Sequence, residues 1–261
     1  MDLTPNRTIF VNPMREFCHP CLKNLFALVL IISGLTTAKA QSAGTPDTTF
    51  VIRDKAFYLP APARNGDFRH MISITRYFLP SDWTNVAINA PMFNYTARYS
   101  LPAGFAVEGG VSTLFITNRF PIGIRYAHSF KNLHVGLTYQ YAYNIGFLYE
   151  WGFTTQLTSW SRIPSISVGY SFNSTSLTLK AGWEYIGAVK YTTGENTMTS
   201  NEFKWNGSNV SLILEQKLVN KHVMTFAFEM DHVNFAMVAL PAYPVNKKMY
   251  YVPVIIWGYT F

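Results

Sequence analysis

The residues able to do chemistry in this chain are charged side chains set singly into apolar, alternating runs: Arg98, Glu108, Arg125, His134, Lys180, Glu184, Glu215, Lys217, Glu229 and Asp231. Neighbours in a strand point to opposite faces, so the ten are predicted to share one polar, inward face. Setting the histidine aside, four are basic and five acidic. A charge left unpaired in a narrow interior is costly, and near balance implies an internal network of ion pairs. Such a network can fill and stiffen the interior. Alternatively, it can line a narrow conduit whose charged constriction selects small solutes.

Catalytic constellations are sparse. Asp231-His232, with Glu150 or Asp82 in neighbouring loops, offers a histidine and carboxylates of the kind that suit general base work. Adjacency in a strand, however, turns the two side chains to opposite faces. The pair His128-Ser129 meets the same objection. The chain has no phosphate-binding glycine loop, no HExxH and no G-x-S-x-G elbow. The expectation is no enzyme, no metal and no cofactor.

The elements that must position these residues are strands. Ten are predicted, at 68–77, 92–101, 104–116, 119–130, 132–145, 162–172, 175–189, 207–218, 221–232 and 249–261. In the fifth, Leu133, Val135, Leu137, Tyr139, Tyr141 and Tyr143 share one face, and His134, Gly136, Thr138, Gln140 and Asn144 the other. In the fourth, Phe120, Ile122, Ile124 and Tyr126 oppose Arg119, Gly123, Arg125 and Ser129. In the seventh, Leu177, Leu179, Ala181, Trp183 and Tyr185 oppose Ser176, Thr178, Lys180 and Glu184. Tight turns at Pro102-Ala103, Lys131-Asn132, Asn173-Ser174 and Val219-Asn220-Lys221 follow the even strands, whereas most other connections are long. Residues 146–161 also alternate. They either lengthen strands five and six or, with 83–90, add a pair to make twelve; ten keeps the short/long rhythm.

Composition supports a wall facing hydrocarbon. Charged residues are 13% and aromatics 16%, against roughly a quarter charged in soluble domains. Mean hydropathy is only +0.07, as alternation between lipid and lumen requires. Such a wall is expected to hold no apolar core. Tyr99, Tyr143, Trp183 and Trp257 lie toward strand ends or on the apolar face, where amphipathic rings gather at membrane interfaces.

Residues 1–40 read as a signal peptide, with Met14 as an alternative start, an apolar stretch from Leu25 to Leu35, and cleavage after Ala38-Lys39-Ala40. Both cysteines, Cys18 and Cys21, leave with it, so the mature chain has neither disulfide nor thiolate site. Cleavage removes 4 of 21 basic and 2 of 14 acidic residues, leaving +5 with no basic run; nucleic acid is not expected as a partner. Residues 41–67, with Pro46, Pro60 and Pro62, read as an extension that can tuck Phe57-Tyr58-Leu59 into the barrel mouth, or as a linker.

The last run, Met249 to Phe261, places Tyr251, Pro253, Ile255, Trp257, Tyr259 and Phe261 on one face and Val252, Val254, Ile256, Gly258 and Thr260 on the other. It resembles the C-terminal signal of Gram-negative outer-membrane β-barrels. A Gln at the mature N-terminus is similar to exported proteins of the Bacteroidota. The resemblance implies a closed antiparallel transmembrane β-barrel at 68–261, with short periplasmic turns, longer extracellular loops, and both termini in the periplasm. It implies contact with the barrel-assembly machinery through Tyr251, Ile255, Trp257, Tyr259 and Phe261. Outer-membrane lipid is the other expected partner, with Arg119, Arg162, Lys190, Lys204, Lys247 and Lys248 available to lipopolysaccharide phosphates. Eight strands are just filled by their own side chains and sixteen leave a channel. The expected function is therefore a narrow, porin-like conduit for small solutes, or a closed structural or surface-binding barrel. A rim enzyme of the omptin-protease or lipid A-modifying kind is the third reading.

Overall fold

The computed structural model describes residues 51–80, 88–150, 153–218, 222–235 and 248–261. The chain divides into two units, 1–48 and 49–261, and every described residue belongs to the second. The predicted leader with Cys18 and Cys21, residues 41–50, Asp82, the Val219-Asn220-Lys221 turn and Lys247 lie outside the described residues.

The strands are β1 (Phe68–Leu79), β2 (Ile88–Ser100), β3 (Phe105–Thr113), β4 (Thr117–Phe130), β5 (Leu133–Glu150), β6 (Phe153–Ser171), β7 (Thr175–Thr193), β8 (Asn196–Ser200), β9 (Lys204–Lys217), β10 (Val223–Val233) and β11 (Tyr250–Thr260). All pairings are antiparallel. β6 joins β7, and β1 pairs with β11 from Met71↔Thr260 to Tyr77↔Val254, which closes the ring. β9 takes the edge of β7 over 175–186, and β8 takes the same edge higher up, from Val189↔Ser200. β8 and β9 are therefore one wall position interrupted at 201–203. The result is a closed ten-position barrel.

Alternation decides which way each side chain points. On β4, Ile122 and Ile124 are 61% and 58% exposed on the outer face, while Arg125, next in sequence, is 5% exposed inside. The same rule holds around the wall, leaving Ile72, Leu137, Leu179 and Trp257 on the outside.

Residues 146–161 add no strand pair. They lengthen β5 and β6 to 18 and 19 residues, because the alternation through Phe147 continues without a break. Residues 88–90 belong to β2. Among the described residues the twelve-strand alternative is thus excluded. The predicted loop 190–206 likewise contains the end of β7 and all of β8.

The described turns at one end are all short, although the other end also has short connections at 114–116 and 194–195. The turn at Pro102–Gly104 puts Ala103 at φ 60° and Gly104 at φ 81°; a Cβ on Gly104 would stand 2.3 Å from the Ala127 carbonyl oxygen. Lys131 turns the next corner at φ 58°. Both ends of the wall meet here too, where the Phe261 N–H donates to the His70 carbonyl at 3.0 Å.

The opposite half of the lumen holds an apolar cluster built on Leu79, Met92, Leu157, Val233, Val252 and Val254. This corrects the expectation of a wall without an apolar core. The cause is β11, whose second face (Val252, Val254, Ile256) is itself apolar over its first half.

Candidate functional site

Residues 51–67 enter the lumen from the short-turn end. A single turn of 3-10 helix at Ile52–Asp54 leads an extended stretch through Phe57, Tyr58 and Leu59. An extended segment with no sheet partner must satisfy its main chain elsewhere. Here the wall's charged side chains do so. Glu215 of β9, fully buried, accepts the N–H of Phe57 at 2.6 Å, of Tyr58 at 3.0 Å and of Leu59 at 2.8 Å. Arg125 of β4 donates to the carbonyls of Phe57 (3.2 Å), Tyr58 (3.0 Å) and Leu59 (2.7 Å). Arg98 of β2 also donates to the Phe57 carbonyl and stacks on its ring, 4.3 Å from the centroid. Arg69 of β1 holds the Ala56 carbonyl at 2.8 Å.

The fit is steric as well as polar. Gly136 and Gly169 line the inner face of β5 and β6 where Leu59 and Pro60 lie. A Cβ on Gly136 would come 2.7 Å from Pro60 Cβ, and one on Gly169 would come 2.7 Å from Leu59 Cδ1. The nearest atom to each added Cβ belongs to the inserted segment, with the wall hydroxyls of Ser167 and Thr178 next at 3.0 and 2.9 Å.

Beyond Phe57 and Tyr58 lies a chamber of about 230 Å³. Its charged lining is Arg98, Arg119, Arg125, Lys180, Glu108 and Glu229, interspersed with Ser73, Thr75, Asn94, Thr138, Gln140 and Asn209. Arg98 and Glu108 are register partners on β2 and β3 and bond at 3.0 Å; Gln140 adds a bond to Glu108 at 2.8 Å. Arg119 reaches Glu184 on β7, which Asn206 also contacts at 2.8 Å. Ser211 donates to Glu229. Among the described residues no carboxylate lies within 4 Å of the Lys180 ammonium. The apolar cluster caps the chamber on the long-loop side.

Of the ten residues singled out from the sequence, Arg98, Arg125 and Glu215 converge on the inserted segment, and Glu108, Lys180 and Glu229 line the chamber. Glu184 pairs with Arg119. Asp231 faces inward two residues from Glu229, with one buried oxygen unpartnered among the described residues. His134 is wholly buried between the hydroxyls of Ser129 (2.6 Å) and Ser171 (2.9 Å), both of its nitrogens occupied. Lys217 is the last residue of β9, at the short-turn end. Two inward arginines are missing from those ten. The sequence reading has Arg119 on the inner face of the fourth strand with Arg125 but also among the loop-side cations; the structure puts it inside. Arg69 shares the parity of Ser73 and Thr75.

The rim pair does not assemble. Asp231 points into the lumen, while His232 points out and stacks on Tyr251 with centroids 4.4 Å apart and planes at 14°. Glu150 ends β5 opposite Phe153. Among the described residues no three metal-ligating side chains converge. Tyr251, Trp257, Tyr259 and Phe261 all lie on the outer face.

No family model matches the chain, and no curated protein matches its sequence. Solved structures with a similar fold include the outer membrane protease OmpT from Escherichia coli, at 9% identity over 75% of this chain and 94% of that one, TM-score 0.40. The translocator domain of the autotransporter NalP from Neisseria meningitidis is similar at 10% identity, over 76% and 89%, TM-score 0.39. An outer membrane channel from Pseudomonas putida F1 is similar at 8% identity, over 84% and 100%, TM-score 0.37. A protease, a translocator and a channel share no activity, and none is carried over from likeness this distant.

Proposed function

We propose that this chain is an outer-membrane β-barrel that acts as a narrow conduit for small polar solutes and is closed at rest by its own N-terminal segment. The membrane reading is supported by the outer surface. Burying an aliphatic or aromatic side chain is worth about 1.5–3 kcal/mol, so a continuous belt of Ile72, Ile122, Ile124, Leu137 and Leu179 left in water would be untenable. A closed ring also leaves no unpaired main chain to face hydrocarbon. The short turns described at the end where β1 begins and β11 finishes support placing that end in the periplasm.

The conduit reading rests on one observation: the inserted segment is held through its main chain by charged wall residues, with a polar chamber behind it. The segment also packs through Ile52, Ala56 and Leu59 against Val223, but apolar filling alone would not need charged partners for its main chain. Its withdrawal would leave Arg98, Arg125, Glu108 and Glu215 to form a charged constriction. The second closure, the apolar cluster, favours a permanently sealed structural barrel, so the test must address both. Planar-bilayer recordings would compare the full chain with a variant carrying Glu215→Gln, Gly169→Val, Val252→Ser and Val254→Ser. The expected result is silence from the first and open steps from the second, with ion selectivity altered when Arg125 or Glu184 is also neutralised. Silence from the combined variant, with release of residues 51–62 verified by trypsin cleavage after Lys55, would establish the structural reading instead.

A further inference from the structure

Among the described residues, the outer face of the wall carries a polar arrangement at Arg162 that the lumen does not explain. Arg162 of β6 points outward, and its Nε donates to the Tyr141 hydroxyl of β5 at 2.8 Å. Its guanidinium lies against the ring of Phe203, 3.8 Å from the centroid, and 5.5 Å from that of Tyr141. Phe203 reaches it because the interruption between β8 and β9 folds onto the wall at Gly187. A Cβ there would stand 2.6 Å from Phe203 Cγ and 2.8 Å from the Glu202 carbonyl oxygen. Trp160 completes the surround, 5.8 Å from Tyr141 and 5.1 Å from Tyr143. The guanidinium is thus fixed on one face by Phe203 and along one edge by Tyr141. Among the described residues nothing accepts from its two terminal nitrogens.

Position along the wall says what these nitrogens meet. Tyr170, Val168, Ile166 and Pro164 share the outward face below Arg162. Eight residues of tilted strand separate Tyr170 from Arg162, about 20 Å along the barrel axis, whereas an apolar band spans about 25 Å. Above Arg162 the same face turns polar at Thr158 and Gln156. Lys190 lies opposite Thr158, exposed, as a second cation. The arginine therefore sits where hydrocarbon gives way to headgroups at the long-loop end. A planar, immobilised guanidinium with two free ends matches a phosphate bidentately. A soluble phosphate would gain nothing from the apolar strip beneath; an amphiphile would lay its chains along it.

We infer that Arg162, clamped by Tyr141 and Phe203, binds the phosphomonoester headgroup of an outer-leaflet glycolipid of the lipid A type, with Lys190 as auxiliary cation. The inference shares the membrane placement above but is independent of whether the lumen conducts. Native mass spectrometry of the full chain, refolded in detergent and mixed with bis-phosphorylated lipid A, tests it. One lipid retained per barrel is expected, with at least tenfold lower occupancy for dephosphorylated lipid A and no capture of inorganic phosphate. Arg162→Gln should lower occupancy at least tenfold, Arg162→Lys less, and Phe203→Ala by several-fold, each with the heat-modifiable gel mobility of a folded barrel. Equal retention of the dephosphorylated lipid or of phosphatidylglycerol would overturn the assignment. So would an Arg162→Gln barrel that retains lipid A as the parent does.

Discussion

Glu215 accepts the main-chain N–H of Phe57 at 2.6 Å across 158 residues of sequence, joining the ninth strand to a segment that precedes the first. Because the neighbouring N–H groups of Tyr58 and Leu59 converge on the same carboxylate, the site resembles an anion nest turned inside out. The wall supplies the anion and the inserted segment supplies the cradle.

Charge-assisted hydrogen bonds contribute about 1.5–3 kcal/mol each. Glu215→Gln should therefore loosen the segment without opening the wall. Hydrogen exchange at the amides of residues 57–59 is expected to accelerate at least tenfold, while strand amides stay protected. Unchanged exchange at 57–59 would remove Glu215 from the role assigned to it.

Gly169→Val tests shape rather than charge. The added methyls occupy the space of Leu59 and Pro60, so trypsin should cut after Lys55 in the variant and far more slowly in the parent. A glycine chosen merely for strand flexibility would leave cleavage rates alike.

The Arg98–Glu108 pair is nearly inaccessible, each residue 6% exposed. Removing one partner strands a buried charge, at about 3–5 kcal/mol. Arg98→Met and Glu108→Gln should each lower the urea midpoint of the folded barrel markedly. The double variant should recover part of that loss, and additive losses would show that the two do not act as a pair.

His134 joins two hydroxyls, and His134→Phe leaves those of Ser129 and Ser171 without a ring partner. An unsatisfied buried group costs about 1–3 kcal/mol. The loss should appear in urea unfolding and shrink when Ser129→Ala and Ser171→Ala are added.

Much of the barrel could be read from residues alone, because the physics that selects a wall residue is local. Ile122 and Arg125 fall on opposite faces by parity, and the turns at Lys131 and Pro102 declare themselves by composition. Residues 146–161 were ambiguous, since a strand that outgrows its neighbours looks like a loop when lengths are compared. The interior was harder. Nothing in the vicinity of Glu215 indicates that its partners are peptide groups 156 residues away or more, and Gly169 is indistinguishable in sequence from any other strand glycine. The apolar cap left a trace that could have been followed: Val252 and Val254 give β11 two apolar faces, which a wall between lipid and water has no use for.

A carboxylate that grips peptide groups takes no notice of which side chains they carry. Tyr58 can therefore drift among bulky residues, but the interval from Leu59 to the anchor at Asp67, whose carbonyl is held by the Ser100 N–H at 2.9 Å, cannot change. One residue inserted or lost between them would slide the whole strap past its catch. The lumen, in effect, measures a length of tether.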